Sequence, residues 1–146
     1  MASSNGSERQ VLDWLRDQRP AMLALLEALV NTDSGSYDKP GVDAAGAHIR
    51  RFLDDNGIAS DVTADDRFGD AISATVGQGS ERISNRPILL MGHRDTVFPD
   101  GTATRWPFRI DGNQAFGPGV ADMKSGPRHK HLRAGGRSAG LVHRAR

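Results

Sequence analysis

The heptapeptide PILLMGH, residues 87–93, constrains the fold more than any other stretch of the chain. It is an unbroken apolar run of strand length that ends on a histidine. A strand with polar residues at alternate positions faces water on one side, whereas a continuously apolar one is expected to be buried on both faces. Such a strand needs covering layers, and the upstream sequence supplies candidates. Apolar residues recur at helical spacing over residues 7–18 and 21–30, with Val11, Trp14 and Leu15 on one face and Met22, Leu25, Leu26 and Leu29 on another. Pro20 suits the end of the first helix and the opening turn of the second. NTDSGSYDKPG reads as a polar loop. A further helix is predicted over residues 42–55, with Ala45, Ile49, Phe52 and Leu53 inward and Gly57 as a left-handed cap. The period then shortens to two. Residues 58–63 and 71–76 predict strands, the second alternating Ile72, Ala74 and Val76. Residues 109–116 predict a hairpin turning at Asp111–Gly112–Asn113. Helices followed by strands, one of them doubly buried, predict an α/β domain with helices packed on a mixed sheet.

Composition narrows the chemistry. The 146 residues allow one modest domain, and 37% hydrophobic with 25% charged content excludes a disordered chain. No apolar run approaches the about 20 residues of a membrane helix. MASSNGSERQ lacks the basic-then-apolar pattern of a secretory signal. With no cysteine, disulfides and thiolate chemistry are excluded, any metal must be held by His, Asp or Glu, and a cytoplasmic setting is expected. The net charge of +1 conceals a break. Residues 1–126 hold 13 Lys and Arg against all 18 acids, a balance of −5, whereas residues 127–146 hold six basic residues, three of the five His and no acid.

In open α/β sheets, ligand sites collect beyond the carboxyl ends of the strands. His93 and Asp95 stand there, and a spacing of two turns both side chains to the same side of an extended backbone. A neutral imidazole ligates zinc-like metals, and a carboxylate at its other nitrogen fixes the tautomer. The same H-x-D pattern also suits a strand-end histidine bonded to a local aspartate with no metal. Asp122, in GPGVADMKSG, has two readings as well. It can cap a helix that starts near Met123, or bridge two cations as carboxylates do in dinuclear hydrolytic sites.

Taken together, GHRDTVFPDG and WPFRIDGNQAFGPGVADMKSG closely resemble the M20 family of zinc exopeptidases and deacylases, nearest its glutamate carboxypeptidase branch. LLEALVNTDSGSYDKPGVDAAGAHIRRFLDDNGI looks like the family's opening helix, loop and second helix, so the resemblance covers residues 20–126. It implies that His93 ligates one metal, that Asp95 positions its imidazole, and that Asp122 bridges both metals. It further implies a cis peptide after Asp122, two Zn2+ ions per complete site with Co2+ as an alternative, and a catalytic domain of the zinc-exopeptidase type. The implied activity is metal-dependent hydrolysis of an amide bond in a small peptide or N-acyl amino acid, by a parent enzyme that can be a homodimer.

The family pattern also calls for a general-base Glu, an adjacent ligand Glu, a further acidic ligand and a last His downstream. None of the 24 residues after Asp122 is Glu or Asp. Residues 1–126 are therefore expected to be the N-terminal part of such a domain, inactive alone, and residues 127–146 a basic, disordered tail of frame-shifted or otherwise aberrant origin. A non-catalytic fragment or binding module is the alternative. His129, His131 and His143 lack the fixed setting a catalytic site needs, and without interleaved aromatics the tail is not read as a nucleic-acid binder. Trp106, Pro107 and Phe108 are expected to pack the loop on the body. Gly117, Pro118 and Gly119 do not match a phosphate loop. Asp33 and Ser34 read as a loop cap, and Asp65, Asp66 and Asp70 as a solvated turn.

Overall fold

In the computed structural model, which describes residues 6–76, 88–126 and 139–143, two helices open the fold. They are α1 (Gly6–Asp17) and α2 (Arg19–Val30). Pro20 lies in the first turn of α2, where its missing N–H leaves no bond unmade. Backbone bonds run across the junction, from Gln18 N–H to Trp14 O and from Met22 N–H to Gln18 O. α2 buries Leu25, Leu26, Leu29 and Val30, whereas Val11 and Trp14 of α1 stay exposed.

The third helix, α3 (Lys39–Asp55), starts three residues ahead of the expected Val42. Pro40 again occupies the first turn, so KPG belongs to the helix and not to the loop before it. Its inward stripe is Val42, Ala45, Gly46, Ile49 and Leu53. Gly57, at φ +68°, closes it as predicted, with Ile58 N–H donating to Leu53 O.

β1 (Ser60–Thr63) and β2 (Ala71–Val76) pair antiparallel, and Ile72 and Ala74 point inward from β2. The core is where α2 and α3 meet that face: Leu25, Leu29, Ala45, Ile49, Leu53, Ile72 and Ala74. Next come β3 (Ile88–Gly92), the short α4 (Thr102–Arg105), and the hairpin β4 (Arg109–Asp111) and β5 (Gln114–Phe116), which turns at Gly112 with φ +56°.

Two expectations are corrected here. The first is disorder throughout residues 127–146: Ala139–His143 forms a strand, β6, inserted between β2 and β3. It runs antiparallel to β2 and parallel to β3, giving a mixed sheet ordered β1-β2-β6-β3. Five residues suffice because the ladder is made of backbone groups, and an insertion there satisfies the facing edges of both β2 and β3. The rest of the tail lies outside the described residues.

The second is double burial of β3. Ile88, Leu89 and Met91 are 48%, 57% and 64% exposed. An apolar run states what a strand tolerates, while cover depends on neighbouring layers, and among the described residues these three side chains, which lie on both faces, are left largely uncovered. Among the described residues β3 is also an edge strand, hydrogen-bonded to β6 alone. No helix among the described residues is long and apolar enough to cross a membrane.

Candidate metal centre

The site begins where β3 ends. Thr96 bridges to Gly35, its N–H donating to Ser34 O at 2.8 Å and its carbonyl accepting from Ser36 N–H at 3.0 Å. The loop after α2 is thus stitched to the exit of β3. Ser34 adds a bond from its hydroxyl to Arg94 O. Asp33, read as a loop cap, caps α4: its carboxylate accepts from Gly101 N–H and Ala103 N–H at 2.8 and 2.9 Å.

Within this frame His93 and Asp95 lie on one side, as their spacing requires. Asp95 is buried, 2% exposed, and its Oδ2 accepts from the Ser36 hydroxyl at 2.6 Å. His93 Nδ1 faces both the Asp95 carbonyl oxygen at 3.1 Å and Asp95 Oδ1 at 3.2 Å. The other ring nitrogen, Nε2, stands 3.2 Å from Asp122 Oδ1. Asp122 arrives from the opposite direction, on the kinked Val120–Lys124 turn entered through Gly119 at φ +73°. Its peptide to Met123 is cis, the form that the resemblance implies. The turn has no side-chain cap, so the helix-cap reading of Asp122 is not what the geometry shows. Its carboxylate is 88% exposed and meets His93.

The electrostatics of the ring are informative. A neutral imidazole carries one N–H. In the tautomer that carries the proton on Nδ1, Nδ1 donates to Asp95 and Nε2 presents a lone pair to a second carboxylate. Lone pair and carboxylate repel each other unless a positive charge lies between them, and an electrophilic cation is what such a donor pair accommodates. His93 and Asp122 therefore fit two positions of a metal's coordination. Among the described residues no group of three or more His, Asp or Glu is placed to hold a metal ion together, so the remaining positions are not filled from them.

Two buried cations frame the site. Arg94 turns opposite to its neighbours and is 1% exposed. Its Nε donates to Val42 O at 2.8 Å and its Nη2 to Asp70 O at 2.5 Å, with the Asp43 carboxylate 3.5 Å away, while Nη1 is buried without a partner among the described residues. Burial pulls its pKa down, opposed by Asp43, Asp70 and Asp95. Asp70 is not merely solvated: it pairs with Lys39, which also reaches Asp43 at 2.9 Å. Lys124, also 1% exposed, donates through Nζ to Leu29 O and Thr32 O at 2.8 Å each. Burial pushes its pKa down to about 8, with Asp33 opposing.

Sequence reasoning did not single out Ser36, Arg94 or Lys124. For Arg94 a signal was present, since the alternation that turns His93 and Asp95 to one side turns it to the other. Lys124 carried no such local mark. Trp106, expected to pack on the body, is 65% exposed; with Pro107, Arg105, Arg109 and Phe116 it lines a cavity of about 460 Å³.

No family model matches the chain. Carboxypeptidase G2 of Pseudomonas sp. (strain RS-16) is 36% identical over 110 residues, which are 75% of this chain and 26% of that protein. The chain thus spans about a quarter of that relative's length. Among solved structures, the di-peptidase Dug1p of Saccharomyces cerevisiae superposes with a TM-score of 0.70 at 14% identity, over 92% of this chain and 34% of its own. Human carnosine dipeptidase 1 gives 0.69 at 14% identity, over 94% and 34%. The metallo-carboxypeptidase Sso-CP2 of Sulfolobus solfataricus gives 0.63 at 14%, over 85% and 30%. At such identities the structural likenesses speak for the fold alone.

Proposed function

We propose, from the premise that this chain belongs to the M20 metallopeptidase family, that it carries the first metal-binding half of a site that hydrolyses an amide bond. The observation behind this reading is the His93 ring, with oxygen acceptors at both nitrogens. His93 Nε2 would hold one metal, and the Asp122 carboxylate, open to solvent, would be shared with a second. Asp95 holds the imidazole through Nδ1, and Ser36 holds Asp95.

The metal we assign is zinc, two ions per complete site, with cobalt as a substitute. What bound metal supplies is Lewis-acid polarisation of an amide carbonyl and of water at neutral pH. The chain's own part is to fix the tautomer of one ligand and the direction of the other. The substrate class is a small peptide or N-acyl amino acid. Residues 1–126 are the portion of the catalytic domain that carries these ligands, and the general base is not among residues 123–146, which contain no Glu or Asp. By itself the chain binds metal weakly and does not turn over. The parent enzyme is a cytoplasmic protein, able to form a homodimer.

Calorimetric titration of the 146-residue chain with Zn2+ tests the assignment. Weak binding lost in both His93→Ala and Asp122→Asn is expected. Equal affinity in wild type and His93→Ala overturns the ligand roles. Hydrolysis of an N-acyl glutamate, abolished by His93→Ala, overturns the inactivity of the isolated chain.

A further inference from the structure

Asp122 and Asp95 are held in different ways. Asp95 is buried and tied by its own carboxylate to Ser36. Asp122 is 88% exposed, and its carboxylate has no hydrogen-bond partner other than His93 among the described residues. An exposed carboxylate samples several rotamers, so its presence at Nε2 depends on where the backbone holds Cα. The nearest buried side chain able to fix that backbone is two residues on. Lys124 runs its stem past Gly119, where an added Cβ would lie 3.2 Å from Lys124 Cδ and 3.3 Å from Cγ. Its ammonium ends on Leu29 O and Thr32 O, and its own N–H bonds back to Gly119 O at 2.9 Å. The carbonyls at the end of a helix lack intrahelical partners and carry the negative end of its dipole, so they are a natural seat for a buried ammonium.

We infer that Lys124 is a positioning residue for Asp122, an internal clamp that fastens the Val120–Lys124 turn to the carboxyl end of α2 and so aims the Asp122 carboxylate at His93. The clamp ties the carboxyl end of α2 to the candidate metal centre across 92 to 95 residues of sequence. Only its consequence for metal affinity rests on the function proposed above; the clamp itself is a property of the metal-free chain.

The test uses the full chain without metal. Long-range 15N–1H spectra of the His93 ring report what stands at Nε2. The His93 Nε2 signal in Lys124→Met is expected to move to its position in Asp122→Ala, with Nδ1 unchanged, and Lys124→Arg should restore it in part. Should Lys124→Met keep the wild-type Nε2 signal while its melting temperature falls, the residue is structural only and the inference is overturned. Should Lys124→Met not fold, the wild type decides: hydrogen-bond couplings from the Lys124 ammonium to the Leu29 and Thr32 carbonyls support the clamp, and their absence refutes it. With Zn2+ added, the clamp predicts about a 10- to 100-fold loss of affinity in Lys124→Met, the range typical of groups that orient ligands. Wild-type chain that shows the couplings and the ring signature but binds no zinc would leave the clamp standing and remove the metal reading.

Discussion

Replacing Arg94 by Met tests whether a buried guanidinium holds the end of β3 in place. Two effects oppose each other. Burying a charge is costly, and one face of this guanidinium, Nη1, has no partner among the described residues, so removing it relieves about 1–3 kcal/mol. Exchanging a buried ion pair for apolar side chains can even stabilise a protein. Here, however, the main acceptors are the carbonyls of Val42 and Asp70, which no side-chain substitution removes. Val42 O keeps its acceptor role inside α3, so Asp70 O is the one left orphaned, at about 1–3 kcal/mol, and both bonds lost are charge-assisted, about 1.5–3 kcal/mol each. The Asp43 carboxylate weighs little in the balance, being a third exposed and still paired with Lys39. The net expectation for Arg94→Met is about 2–3 kcal/mol of destabilisation. In urea, with a slope of roughly 1.5 kcal/mol per M, the midpoint falls by about 1–2 M with the slope unchanged. Arg94→Lys should fall between, since one ammonium cannot reproduce the fork. A midpoint for Arg94→Met equal to or above wild type would refute the reasoning, because the two charge-assisted bonds would then have cost nothing to lose.

Two further outcomes follow from local geometry. Gly69→Ala places a Cβ 2.1 Å from Val42 Cγ1, and overpacking of this kind costs about 1–3 kcal/mol. In Gly69→Ala/Val42→Ala the loss should be smaller than the sum of the single losses, and additive urea midpoints would show that the two sites do not touch. Asp70 has its pKa lowered chiefly by the Lys39 hydrogen bond, so its stabilisation is fully present above the ordinary value of 3.8 and is lost as pH falls through the lower folded value. Lys39, raised by Asp70 and Asp43, behaves as the mirror image, contributing below 10.5 and fading as pH rises through its folded value. Asp70→Asn should flatten the acid limb of melting temperature against pH, and an unchanged limb would remove the pair from the account.

Periodicity located α1, α2, α3, β2 and the β4–β5 hairpin, because burial against a single neighbouring layer leaves a period in the sequence. Leu25, Leu29, Ile49, Leu53, Ile72 and Ala74 all stood on expected faces and all entered the core. Pro40 misled only the start of α3, where the sequence KPG resembles a loop until a first turn forms around it. The failures have a common cause. β6 is short and carries little pattern, and its place depends on the facing edges of β2 and β3. The exposure of Ile88, Leu89 and Met91 depends on what lies over them. Neither is a property of the segment itself.

The candidate site divides along the same line. The sequence alone determined that His93 and Asp95 share one side of a strand end, since two-residue spacing on extended backbone admits no other arrangement. It also marked Asp122 as the acid in a turn shaped by glycines. Only the tertiary structure decided that Asp122 Oδ1 lies 3.2 Å from His93 Nε2, 29 positions apart, and that Ser36, Arg94 and Lys124 fasten the segments concerned. Local spacing is fixed by covalent geometry. Contacts between distant segments are fixed by which buried donors must find acceptors, and that demand arises only once the chain has closed around them.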